Sequence, residues 1–320
     1  MKRKLYSITI IFIIILLIIS IFTNSNILTS TISFSTNIFI KNIFPSLFPM
    51  FVISKILVEI ELPKVLGNIF KKPMNFLFKT KGEGAFIFFM SMITGFPSSA
   101  KYIDDMLDKK MITIKDSEKF LMFTFFSNPL FIVNTVGNIF FNNISFGFAI
   151  LICHILGNII IGLLFRNYNK NVLTNDNSTK LSLKYMHNKI NDINIFKLLF
   201  DSIKDSLDIL INIFGIVTFI LIIINLLFHN PNSIITILSS GIAEMTTGLK
   251  YLSLSNLDIN LKLLISMFFI SFGGLSVHFQ IMSILNKRKV KYLPFLIARI
   301  LHGIISVLLL NIFMKMGILF

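Results

Sequence analysis

Gly95-Phe96-Pro97-Ser98-Ser99-Ala100-Lys101 interrupts an apolar segment at residues 85–107, and Gly273-Gly274-Leu275-Ser276-Val277-His278 interrupts another at 263–285. A constant offset aligns Gly95 with Gly273, Ser98 with Ser276, Leu107 with Leu285 and Lys109-Lys110 with Lys287-Arg288. Membrane carriers place binding sites where two discontinuous helices meet near the bilayer midplane. The pair therefore predicts a polytopic all-α membrane protein with two internal repeats and broken or re-entrant helices, not a soluble enzyme.

The composition agrees. Of 320 residues 54% are hydrophobic and only 14% charged, against about 25% charged in soluble domains, and mean hydropathy is +0.81. Residues 120–165 contain no Lys, Arg, Asp or Glu, a run that at about 1.5 Å per residue crosses a roughly 30 Å core twice. Net charge is +15, from 30 Lys+Arg against 15 Asp+Glu. The bases gather between apolar segments, as the positive-inside rule demands, so nucleic acid is not expected as a partner. The single cysteine, Cys153, excludes an internal disulfide and a cysteine-based metal site. No Gly-x-Gly-x-x-Gly, Walker A or His-Glu-x-x-His motif is present, so no cofactor, metal site or ATP-driven pump is expected.

Charge places the segments. Residues 1–37 read as an uncleaved first helix and an outside loop, 38–165 as the first membrane repeat, 166–201 as a basic cytoplasmic linker and 202–320 as the second repeat. If 85–107 crossed fully, parity would put the basic loop 166–197 outside, so a re-entrant hairpin bent at residues 95–99 is predicted. Charge leaves open whether 234–252 or 263–285 is the re-entrant element of the second half, and whether the repeat is inverted or parallel.

Ionisable groups inside membrane segments cost at least about 2.5 kcal/mol and mark function or a partner. Glu244, in Gly241-Ile242-Ala243-Glu244-Met245-Thr246-Thr247-Gly248, sets one carboxylate beside two hydroxyls in a segment able to unwind; it can coordinate a cation, take a proton or accept from a solute, or simply cap a helix end. Lys101 and His278, with Gln280 beside them, can offer positive charge to an anion, aided by half-helix N-termini; the alternative is Lys101 neutralised by Asp104 or Asp105. Lys55 and Glu59, one turn apart, are expected to pair. Ser127-Asn128-Pro129 breaks an apolar helix and exposes carbonyls. Arg299 lies deep, facing either Glu244 or the solute, and His154 is expected to hydrogen-bond between helices.

Phe44-Pro45-Ser46-Leu47-Phe48-Pro49, Gly82-Glu83-Gly84-Ala85-Phe86, Thr94 through Lys101, Phe126-Ser127-Asn128-Pro129-Leu130-Phe131-Ile132, Glu244-Met245-Thr246-Thr247-Gly248 and Phe272-Gly273-Gly274-Leu275-Ser276-Val277-His278-Phe279-Gln280 occur in that order. Together they resemble the sporulation integral membrane protein YlbJ (SpoVV) family, over about residues 38–303. The resemblance implies a nucleoside-recognition (Gate) domain protein related to concentrative nucleoside carriers. It also implies a role in moving dipicolinic acid out of the mother cell across the outer forespore membrane. Dipicolinate, a flat aromatic dianion, would then meet Lys101, His278 and Arg299, hydroxyls of Ser98, Ser99, Ser276 and Thr246, and Phe rings, with Glu244 as a coupling or gating group. The runner-up is a nucleoside or other small-solute carrier using Glu244 and Gln280; a non-transporting spore-membrane assembly protein is a third reading. The bilayer is the other expected partner, and a homo-oligomer is left open.

Overall fold

The computed structural model describes residues 11, 14–15, 18–169, 194–228 and 233–317. The first ten residues and 170–193, the middle of the expected basic linker, lie outside the described residues. Every regular element among them is helical. We number these α1 (Ser25–Glu59), α2 (Leu62–Phe78), α3 (Gly84–Thr94), α4 (Ser98–Asp108), α5 (Ile114–Phe123), α6 (Phe131–Phe140), α7 (Ile144–Leu164), α8 (Ile195–Leu227), α9 (Ile234–Ala243), α10 (Met245–Leu254), α11 (Ile259–Phe272), α12 (Gly274–Ile284) and α13 (Tyr292–Lys315).

Two expectations at the N-terminal end are corrected. The segment read as an outside loop ending at residue 37 is helical, and α1 runs unbroken through the 37/38 boundary. A π turn at Phe39–Ile43 precedes Pro45, with Pro49 inside the following helix. A proline supplies no N–H to the preceding turn, and the widened turn absorbs the mismatch without ending the helix. Likewise α8 runs through the 201/202 boundary; at 33 residues it is about 50 Å long and outruns a roughly 30 Å core. Its first turns, carrying Asp201, Asp205 and Asp208, therefore project to the inside.

The first interrupted segment is the predicted hairpin. The Tyr102 hydroxyl donates to the Thr94 Oγ1 across the bend at 3.0 Å, and the rings of Phe86 and Tyr102 meet at 5.8 Å, so α4 returns along α3. Helices of 11 residues reach about 16 Å, half-way through the core. The second hairpin is α9–α10, not 263–285. A Cβ at Gly248 would lie 2.1 Å from the Gly241 Cα, and these two glycines lie on either side of Glu244, one on each helix, where close-packed antiparallel helices meet. The segment 263–285 belongs instead to a through-going span, Ile259–Ile284, in which α11 and α12 make no substantial packing contact with each other. The offset that aligned Gly95 with Gly273 thus joins a hairpin tip to a helix break.

The structural repeat is hairpin, broken helix, helix: α3–α4, α5/α6, α7, then α9–α10, α11/α12, α13. The first hairpin is flanked by Lys79, Lys81, Lys109 and Lys110, while residues 228–233 and 255–258 around the second contain no Lys or Arg. By charge the first opens to the inside and the second to the outside, so the repeat is inverted. The helices are inside-out relative to a soluble protein. On α13, Leu293, Ile297, Ile300, Ile304 and Leu308 are exposed while Arg299, His302 and Ser306 are buried, the arrangement expected when the solvent is lipid.

Candidate functional site

The four interruptions converge. α3 ends at Gly95, whose φ of 81° and ψ of 172° suit glycine alone; a Cβ there would sit 2.5 Å from the Asn128 backbone nitrogen. Phe96 N–H donates to the Phe126 carbonyl at 2.6 Å, and the Asn128 amide donates to the Thr94 carbonyl at 3.2 Å. The same Asn128 accepts from Leu130 and Phe131 N–H at 2.8 and 3.2 Å, capping α6. The first hairpin tip is thereby tied to the α5/α6 break. The second tip meets the other break: a Cβ on Gly274 would lie 3.0 Å from Met245 N and 3.4 Å from Glu244 Cα.

Phe125 joins the halves. Its ring stacks on Phe96 at 4.6 Å, leaves 2.4 Å for a Cβ at Gly273, and carries the Arg299 guanidinium over its face at 4.7 Å. Around it a buried polar network satisfies the backbone that the breaks set free. Arg299 donates to Met122 O and, at 3.2 Å, to Asn158 Oδ1; Asn158 donates to Phe125 O at 2.7 Å. His154 Nε2 accepts from Ser127 N–H at 2.9 Å, which puts its proton on Nδ1, 3.2 Å from Ser271 Oγ. One neutral histidine thus spans both breaks, the interhelical role expected of it. His302 continues the network, with Nε2 at 3.0 Å from His154 O and Nδ1 at 3.0 Å from Arg299.

This geometry redistributes the expected cations. Arg299 faces carbonyls of the first break rather than Glu244. His278 donates from Nε2 to Phe272 O and accepts at Nδ1 from Tyr292 OH, both at 2.9 Å, so the neutral tautomer satisfies both nitrogens. Gln280, two residues on, points to the opposite face of α12 and donates to Ser276 Oγ at 3.2 Å. Glu244 is the N-cap of α10, its two oxygens accepting from Thr246 and Thr247 N–H at 3.1 and 2.8 Å. A carboxylate of the chain itself thus occupies that helix N-terminus. Among the described residues the Ser99, Ser127 and Thr247 hydroxyls are buried with no hydrogen-bond partner, while the Ser98 hydroxyl lies beside the Tyr102 hydroxyl. Buried polar groups are usually paired, so the three unpartnered hydroxyls mark where a solute or water can bond.

Lys101 and Gln280 open on an inside-facing cavity of about 490 Å³ between α4, α8 and α12. Lys101 is bonded to Asp105 at 2.5 Å. Lys55 pairs at 3.2 Å with Asp105 and Asp205, correcting the expected Lys55–Glu59 pair; Glu59 takes Lys109 at 2.5 Å. Arg288 binds Asp104 at 2.6 Å and also Asp108, and these hydrogen bonds, Asp104 first, hold its guanidinium above its usual range. Lining carboxylates (Asp104, Asp105, Asp108, Asp205, Asp208) outnumber lining cations (Lys55, Lys101, Lys287, Arg288). The α8 contribution was missed in the sequence, although Asp205, Asp208 and Asn212 at i, i+3 and i+7 form a polar stripe. Phe125 carried no signal at all, being one phenylalanine of 36.

The chain is similar to the sporulation integral membrane protein YlbJ of Bacillus subtilis strain 168. The two are 28% identical over an alignment of 302 residues that spans 85% of this chain and 74% of that protein. No family model and no solved structure matches.

Proposed function

We propose that the chain is a member of the family of the sporulation integral membrane protein YlbJ, to which it is similar, and that it is a carrier, not an enzyme, that moves a small anionic solute, dipicolinic acid, across the outer forespore membrane. The observation that carries the reading is the inverted pair of hairpins whose tips meet two broken helices. That arrangement sets helix ends and unpartnered hydroxyls at mid-membrane depth, where alternating access needs a fixed site. The α4 N-terminus and the Ser98, Ser99 and Ser127 hydroxyls suit carboxylate oxygens. Lys101 reaches the anion by leaving Asp105, and the Phe96–Phe125 stack offers a ring face. Glu244 acts as the gate, since a substrate carboxylate competes with it for the α10 N-terminus.

The surplus of carboxylates in the inside cavity favours a second reading, an uncharged hydroxylated solute such as a nucleoside, hydrogen-bonded by hydroxyls and Gln280. Flux into proteoliposomes separates the two. Saturable dipicolinate uptake, indifferent to nucleosides, lost in Glu244→Gln and weakened in Lys101→Ala with both variants well inserted, is the expected result. Nucleoside uptake in its place selects the second reading, and no flux of either solute removes the carrier function.

A further inference from the structure

Two ammoniums share one buried carboxylate oxygen beside the inside cavity. Lys101 Nζ donates to Asp105 Oδ1 at 2.5 Å, and Lys55 Nζ donates to the same oxygen at 3.2 Å. Asp105 Oδ2 is buried with no hydrogen-bond partner among the described residues. The side chains of Lys101 and Asp105 are 2% and 1% exposed, so solvent ions screen this cluster little. Two cations on one acceptor repel each other, and each weakens the other's hold. Lys55 has a second anchor, Asp205 Oδ2 on α8, at 3.2 Å. A chain of alternating charge therefore runs Asp205, Lys55, Asp105, Lys101, from α8 through α1 to α4.

The carrier reading needs Lys101 to leave Asp105, and a buried ion pair resists this, because breaking it strands an uncompensated charge away from water. Lys55 removes the obstacle. It stays on Asp105 when Lys101 departs, so the carboxylate is not left alone. The other charges around α4 are committed elsewhere. Asp104 and Asp108 hold Arg288, and Glu59 holds Lys109; α3 carries no ionisable side chain. Resting on the carrier reading, we infer that Lys55 is the positioning residue that frees Lys101 for an anionic solute, and that Asp205 sets how readily it does so. When Lys55 turns wholly to Asp105, Lys101 is released; when it turns to Asp205, Lys101 is held. Asp205 sits on α8 and Asp105 on the first hairpin, so the spacing of these two elements decides whether the cavity presents a free cation.

The test reads Lys101 directly and needs no solute. The full chain in detergent is acetylated with a limiting N-hydroxysuccinimide ester, and labelling of Lys101 is followed by mass spectrometry against the exposed Lys110. An ammonium bonded to a carboxylate does not become the reactive amine, so the rate reports the fraction of Lys101 that has left Asp105. Lys55→Met is expected to slow this labelling about tenfold, through loss of a competing charged hydrogen bond, and Lys55→Arg to restore it. Asp205→Asn, at a side chain 46% exposed, is expected to act with the opposite sign and speed it. Equal labelling in the native chain, Lys55→Met and Asp205→Asn overturns the proposal. So does faster labelling in Lys55→Met, which would make Lys55 a brace for α4 only. Dipicolinate uptake into proteoliposomes carries the effect to the solute: Lys55→Met is expected to raise KM about tenfold with kcat unchanged, and Lys55→Arg to return it. Native uptake with an unaltered KM in Lys55→Met also overturns the proposal. Labelling as expected with no uptake by the native chain overturns the carrier reading instead and leaves the release of Lys101 by Lys55 standing.

Discussion

At Gly273 a φ of 86° and a Phe125 ring 2.4 Å from any added Cβ disfavour every other residue for two independent reasons. Gly273→Ala costs about 1–2 kcal/mol in backbone strain alone, and the displaced ring must also shift Phe96 and Arg299. We expect this variant to insert yet lose flux and thermal stability, measured by fluorescence-detected size exclusion after heating. A stable, active Gly273→Ala would mean the break does not need Phe125. Arg299 allows a sharper distinction. Its buried guanidinium holds carbonyl and amide oxygens of α5 and α7, each about 1–3 kcal/mol to leave unpaired. Arg299→Met is therefore expected to lower the melting temperature and the yield of monodisperse protein. A stable Arg299→Met with only a raised KM would return the residue to solute recognition.

Among the elements, α4 is the one held by charge. Three neighbouring regions grip its inside end: α1 through Lys55 and Glu59, the α12–α13 loop through Arg288, and α8 through Asp205, which shares Lys55. Pairs as exposed as those of Arg288 contribute about 0–1 kcal/mol each. Arg288→Ala is thus expected to leave the melting temperature nearly unchanged while speeding amide exchange within residues 98–108. Unchanged exchange would show that apolar packing alone holds the hairpin. The hairpin assignments make a second claim, about sidedness. Asn256→Cys should label only from the outside and Lys289→Cys only from the inside. Labelling of both from one face would contradict α11/α12 as a crossing span.

For the molecule as a whole, much was legible from composition: the apolar runs and their charged borders determine a helical membrane protein, and parity determines that 85–107 turns back. The residues that make the breaks, Gly95, Ser127-Asn128 and Gly273-Gly274, were also legible, because glycine and proline in an apolar run have few other uses. Two features were decided only in three dimensions. Which segment of the second half is re-entrant depends on Gly241 packing on Gly248, and an outward-facing hairpin carries no basic border to reveal it. Which cations are available to a solute depends on partners far along the chain. Asp105 and Asp205 claim Lys55, the carbonyl of Met122 claims Arg299, and Tyr292 claims His278. Hydropathy and charge bias are sums along the chain, so they determined where the bilayer lies. Neutralisation inside it is pairwise and acts within a few ångströms, so only the packed helices decided which charges remain free.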